Sequence, residues 1–517
     1  MWEGDFGLFW GVGAMTGRCP TVAVVGAGMS GMCVAITLLS AGITDVCIYE
    51  KADDVGGTWR DNTYPGLTCD VPSRLYQYSF AKNPNWTQMF SRGGEIQDYL
   101  RGIAERYGLR HRIRFGATVV SARFDDGRWV LRTDSGTEST VDFLISATGV
   151  LHHPRIPPIA GLDDFRGTVF HSARWDHTVP LLGRRIAVIG TGSTGVQLVC
   201  GLAGVAGKVT MFQRTAQWVL PWPNPRYSKL ARVFHRAFPC LGSLAYKAYS
   251  LSFETFAVAL SNPGLHRKLV GAVCRASLRR VRDPRLRRAL TPDYEPMCKR
   301  LVMSGGFYRA IQRDDVELVT AGIDHVEHRG IVTDDGVLHE VDVIVLATGF
   351  DSHAFFRPMQ LTGRDGIRID DVWQDGPHAH QTVAIPGFPN FFMMLGPHSP
   401  VGNFPLTAVA ESQAEHIVQW IKRWRHGEFD TMEPKSAATE AYNTVLRAAM
   451  PNTVWTTGCD SWYLNKDGIP EVWHLHRPNT APCSLTYIPK NTTCDAMLRC
   501  AQLVGLKALE AYRGAGR

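Results

Sequence analysis

The sequence predicts an α/β fold made of two copies of one strand, loop and helix unit, broken by a helical insertion; three observations carry that reading. An apolar run enters a glycine loop twice, as TVAVVGAGMSG from Thr21 and as RRIAVIGTGSTG from Arg184. Each loop is followed by a second strand, VCIYEK with Glu50 near its end and KVTMFQRT with Arg214 near its end. Each copy then has a later strand that runs into Ala-Thr-Gly, VDFLISATG to Gly149 and VDVIVLATG to Gly349. A buried strand, a tight glycine turn and a helix start, in that order, make the dinucleotide-binding unit of Rossmann-like sheets. The expected class is α/β, with two Rossmann-like dinucleotide-binding domains and a helical insertion.

Taken in chain order, residues 1–20 form an N-terminal extension without the basic start and apolar core of a signal peptide. Residues 21–150 and 351–476 make the first dinucleotide domain; its late part holds the apolar strand GFPNFFMMLGP and the amphipathic helix TAVAESQAEHIVQWIKRW. The proline-rich string LHHPRIPPIAGLDDF opens a linker over 151–182, since proline cannot continue a helix or a central strand. Residues 183–223 and 299–350 make the second dinucleotide domain. Between its halves, 224–298 has helical spacing and many basic residues, and 477–517 is a tail without an assignable pattern.

Composition bounds the function. At 517 residues, 45% hydrophobic and 20% charged, the chain has length for two or three globular modules. A formal charge of +7 is small for this length and no nucleic-acid motif accompanies it, so anionic cofactors fit better than a polynucleotide. The twelve cysteines are scattered without a Cys-x-x-Cys pair, which argues for a reducing compartment, the cytoplasm, and against zinc. No metal site is expected, because His152 with His153, His378 with His380 and His474 with His476 lack partners at ligand spacing. No apolar run approaches the roughly 20 residues that span a bilayer.

The first loop fits G-x-G-x-x-G at Gly26, Gly28 and Gly31: one for the turn, one for pyrophosphate approach, one for helix packing. Glu50, about 20 residues on, is placed to accept hydrogen bonds from an adenosine ribose. The aromatic-rich loop GGTWRDNTYPGLTCD, Gly56 to Asp70, suits a flavin, with Gly57, Thr58 and Trp59 against the isoalloxazine. In the second loop Gly190, Gly192 and Gly195 repeat the fingerprint, and Ser193 and Thr194 offer hydroxyls to phosphate. Arg214 stands where Glu50 stood in the first copy. An acid there selects a free 2′-hydroxyl and an arginine a 2′-phosphate, so the second cofactor is expected to be NADPH, with Gln213 and Thr215 as polar neighbours.

Two long patterns carry a resemblance. Phe165, Gly167, His171, Trp175 and Asp176 meet Phe-x-Gly-x-x-x-His-x-x-x-Trp followed by Pro or Asp. Gly56, Gly57, Trp59, Tyr64, Pro65, Gly66 and Asp70 meet a second pattern. On these the chain resembles the class B flavoprotein monooxygenases, and within them the Baeyer-Villiger monooxygenases, from about Thr21 to about Trp473. The resemblance implies FAD reduced by NADPH, a C4a-peroxyflavin formed with O2, and insertion of one oxygen beside a ketone carbonyl to give an ester or lactone. It implies further that Arg300 of MCKRL is the catalytic cation, that Asp70 orients it, and that Lys299 binds the NADPH phosphate. It makes Trp462 of GCDSWYLNKDG a lid residue. FAD contacts fall to Ser30, Thr68, Cys69, Tyr76 and Val119, and the NADPH pyrophosphate is wrapped by Thr191, Gly192, Ser193, Thr194, Gly195, Val196 and Gln197. His171 is implied in domain movement or as a packed hinge rather than in bond breaking.

Three other readings compete. N- or S-oxygenation of an amine or sulfide uses the same cofactors, with Trp175 and Arg300 as the features against it. A disulfide reductase needs a cysteine pair beside the flavin, where only Cys69 follows the first loop. A non-enzymatic flavoprotein would contact membranes peripherally through the basic helices between Arg267 and Arg288. No obligate protein partner is evident.

Overall fold

The computed structural model describes residues 17–261, 263–399, 404–461, 463–465, 468 and 470. The first sheet holds β1 (Val22–Val25), β2 (Val46–Tyr49), β3 (Ile113–Arg114) and β4 (Phe143–Ser146). A late strand, Phe391–Met393, joins beyond β4, so the order is late strand, β4, β1, β2, β3, all parallel. Helices cover both faces of a parallel sheet, which is why β1 and β4 read as unbroken apolar runs, VAVV and FLIS, and are buried throughout. Helix α1 (Met29–Ser40) follows β1, and the late helix Leu406–Arg425 packs along it.

The second sheet repeats the plan with β5 (Thr168–His171), β6 (Arg185–Ile189), β7 (Lys208–Phe212), β8 (Val316–Val319) and β9 (Val343–Leu346). Its order is β8, β7, β6, β9, β5, again parallel, with α2 (Ser193–Leu202) leaving the glycine loop after β6. One element departs from expectation. The stretch expected to be wholly linker supplies the edge strand β5, paired with β9 from Thr168 opposite Val343 to His171 opposite Leu346.

The insertion leaves this unit at Val219–Leu220 and returns at Val302–Met303, and these two short strands pair side by side. Between them run α3 (Lys229–Ala237), α4 (Pro239–Ser261) and α5 (Leu265–Leu278). Ser228 caps α3 by accepting from the Ala231 amide, and the proline that opens α4 suits a first helical turn. The cysteines also depart from the scattered pattern. Cys298 and Cys459, 161 residues apart, are bonded as a disulfide that no local spacing reveals.

Candidate active site

Each glycine loop is built by steric exclusion. Gly26 has φ +106°, and a Cβ on Gly31 would stand 1.9 Å from the Gly26 carbonyl oxygen, so helix and turn meet only without side chains. The second copy repeats this at Gly190 and Gly195, where the added Cβ would lie 2.1 Å from the Gly190 carbonyl. Both α1 and α2 start without a side-chain cap, at Gly28 and Gly192, which leaves their first amides and positive dipole ends for an anion. A side chain at Gly192 would meet nothing within 4 Å, so this loop has open space over it. The residues present thus fit a pyrophosphate at each helix start.

Around the first loop, buried Glu50 accepts from the Ala27 amide at 2.8 Å, the Ala52 amide at 3.0 Å and Arg60 at 3.0 Å. The acid therefore holds the loop, and lone pairs beyond these three bonds are what a ribose can use. Ser30 is buried in the first turn of α1, and Gly57 lies against Gly28, its would-be Cβ 3.3 Å from the Gly28 Cα. Thr58 opens the short helix Thr58–Asp61. Trp59 donates its indole N–H to the Tyr76 hydroxyl at 3.1 Å, ring edge to ring face. Tyr76, Cys69 and Val119 are buried, and burial pushes the Tyr76 phenol and the Cys69 thiol up.

In the second unit, Thr191 donates to the Thr215 carbonyl at 2.7 Å, which closes the loop onto the end of β7. Ser193 and Thr194 stand half-buried at the start of α2, with Val196 buried behind them. Arg214 is exposed and enters no ion pair among the described residues. Gln213 instead turns inward and donates to the Ala289 carbonyl at 2.7 Å. Burial lowers the Lys299 ammonium; Asp460 opposes this, while the nearby Arg214 charge adds to it. Lys299 itself lies over the Tyr294 ring, 5.2 Å from its centroid.

An aromatic loop of the first unit packs on the first helix of the second. Tyr64 donates to Gln197 at 2.9 Å, Gln197 donates to the Thr68 carbonyl at 3.0 Å, and a Cβ on Gly66 would stand 2.3 Å from the Gln197 carbonyl. Just past this loop, Arg300 donates from Nε at 2.9 Å and from Nη2 at 2.7 Å to the same oxygen of Asp70. The Asp70 carboxylate raises the Arg300 pKa above the ordinary guanidinium range despite burial, so the cation is permanent. Both residues line a cavity of about 280 Å³ whose walls are almost wholly apolar, with Phe253 and Phe256 of α4, Val270 of α5 and Trp455 among them.

Sequence reasoning missed Tyr463, which is buried, lines the same cavity and places its phenol at the Arg300 guanidinium. Its signal was available, since it is the neighbour of Trp462 in the lid string. Trp462 itself lies outside the described residues. Signature residue His171 accepts the Ala173 amide on Nδ1 at 3.1 Å, so Nε2 carries the proton that it gives to the Gly349 carbonyl at 3.0 Å. With Trp175 edge-on against Phe170, His171 ties β5 to the turn after β9. Its two nitrogens are spent on backbone, which pins the edge strand β5 within the second sheet.

The profile of flavin-binding monooxygenase-like proteins matches residues 19–361. A Baeyer-Villiger monooxygenase of Streptomyces coelicolor is 38% identical over 457 residues, covering 86% of this chain and 87% of that protein. Among solved structures, OTEMO in complex with FAD and NADP is 30% identical with a TM-score of 0.79, over 89% of this chain and 96% of that one. An oxidised steroid monooxygenase bound to NADP is 32% identical with a TM-score of 0.79, over 88% of this chain and 95% of that one. The chain belongs to the flavin-binding monooxygenase-like family, among the Baeyer-Villiger monooxygenases.

Proposed function

We propose that Arg300, held by Asp70, is the catalytic cation of this FAD- and NADPH-dependent monooxygenase, which uses O2 to insert one oxygen atom beside a ketone carbonyl. The carrying observation is the doubly bonded Arg300–Asp70 pair facing an apolar cavity. FAD, when bound, supplies the site that accepts hydride from NADPH and activates oxygen.

The chain's own residues do the rest. The amides at Gly28 and Gly192 take the two pyrophosphates, and Trp59 with Tyr76 forms a fixed wall beside the first. Arg214 and Lys299 take the 2′-phosphate. Arg300 sets a preorganised positive charge against the negative charge that develops on oxygen when a ketone carbonyl is attacked, and the apolar walls keep water from screening it. Asp70 fixes the guanidinium plane, and Tyr463 bounds its other side. Trp462 is the lid residue in this reading. The first sheet with 351–476 is the FAD domain and the second with 299–350 the NADPH domain.

The test is ester formation from a ketone panel, followed by mass spectrometry beside NADPH consumption. Arg300→Ala is expected to lose on the order of 10²–10³ in kcat for ester while still binding FAD, as for removal of a preorganised oxyanion donor. Ester formation undiminished in that variant would sink the assignment.

A further inference from the structure

The insertion concentrates exposed apolar side chains, holding about half of them in a small part of the chain. Of the twenty-one large apolar side chains exposed among the described residues, eleven fall between Leu230 and Val273. Ten of them recur at helical spacing on one side of each helix: Leu230, Val233 and Phe234 on α3; Leu241, Leu244, Leu251 and Val258 on α4; Leu265, Leu269 and Val273 on α5. Leu230, Leu244 and Leu265 are 70, 65 and 69% exposed. Since α4 packs against both α3 and α5, the three stripes belong to one layer.

Charge follows the same layer. Residues 226–282 hold eleven lysines and arginines and a single acid, Glu254, a net +10 in a chain whose total is +7. Lys229, Lys247, Lys268 and Arg275 are exposed and enter no ion pair among the described residues. Apolar stripes flanked by unpaired cations are the composition of helices that lie in a membrane interface, where leucine and phenylalanine enter the acyl boundary and lysine and arginine meet anionic headgroups. A second copy is disfavoured by like charge, and protein partners select aromatic-centred patches rather than leucine and valine stripes.

The cavity opens on this layer. Leu269 is 55% exposed and also lines the cavity, and Ser252 and His266, both exposed, line it too. We propose that the helical insertion docks on an anionic lipid bilayer and that the cavity over Arg300 receives a lipophilic ketone directly from that bilayer. The docking stands on the surface alone; the substrate route rests on the ketone-oxidising reading above.

The test floats the FAD-loaded enzyme with phosphatidylcholine vesicles, with and without phosphatidylglycerol, at low and high salt. Wild type is expected to float about tenfold more with anionic vesicles and to lose most of that at high salt. Leu244→Ser with Leu265→Ser, and separately Lys247→Glu with Lys268→Glu, should abolish flotation while a water-soluble ketone is oxidised at the wild-type rate. A long-chain ketone dissolved in anionic vesicles should be oxidised several-fold faster by wild type than by either variant. No flotation with any vesicle, flotation indifferent to salt and to the charge variant, or a dimer in sedimentation that the leucine variant dissolves would each overturn the proposal. Failure of wild type to oxidise the soluble ketone, with flotation intact, would instead refute the catalytic reading and leave docking standing.

Discussion

At the residue scale, the site depends on which charges the fold pairs and which it leaves open. Arg300 has its partner, so Asp70→Asn should leave the guanidinium charged but unanchored, and the expected outcome is a kcat reduced about tenfold or more with NADPH binding preserved. Tyr463→Phe removes only the phenol beside Arg300, and a several-fold loss of kcat without change in flavin content would mark it as a positioning residue. Arg214→Ala should raise KM for NADPH by about 10–100-fold, the worth of a charge-assisted hydrogen bond, and leave KM for NADH unchanged; steady-state kinetics with both coenzymes check this. Two half-buried histidines set a pH limit of a different kind. Burial lowers His152 and His416 to about 4, from an unfolded value near 6.5. Their folded forms stay neutral while the unfolded chain takes up protons, so the stability they contribute is full above about pH 6.5 and is lost as pH falls toward 4. Thermal unfolding followed across that window should show Tm declining, with on the order of a few kcal/mol lost in total. A flat profile would place both rings in water.

At the element scale, the strands and glycine loops were legible because parallel sheets buried on both faces demand continuous apolar runs, and the loops demand glycine at fixed offsets. The pieces that escaped obey no local period. Strand β5 is four residues long, follows a proline-rich stretch and has no glycine loop after it, so only its pairing with β9 makes it a strand. The Cys298–Cys459 bond joins the stretch before Arg300 to the stretch before Tyr463, which spacing cannot disclose across 161 residues. In the chain-entropy account, closing a loop of that size contributes about 5 kcal/mol. Cys298→Ser with Cys459→Ser is therefore expected to unfold at lower denaturant, by calorimetry or urea titration, with the loss concentrated where the insertion meets the site.

At the scale of the whole molecule, two sheets become one enzyme through a narrow seam, in which Tyr64, Gln197 and Thr68 pass hydrogen bonds between the loop of one unit and the helix of the other. Tyr64→Phe should leave each sheet folded but loosen the seam, read as a split or broadened unfolding transition and faster hydrogen exchange along α2. That both units exist, in this order, was readable from the two glycine loops and the strand that follows each. The seam was readable only as a motif of tyrosine, proline and glycine, whose reason appears once Gly66 is seen against Gln197. The side-by-side pairing of Val219–Leu220 with Val302–Met303 has one more consequence. Because the two ends of the insertion leave the frame from adjacent positions, the stretch between them behaves as a cassette: a relative's version that keeps the Cys298, Ala289 and Arg300 contacts to the frame can be recombined at these joints, and each transplant brings part of its own pocket wall together with the arginine that the pocket serves.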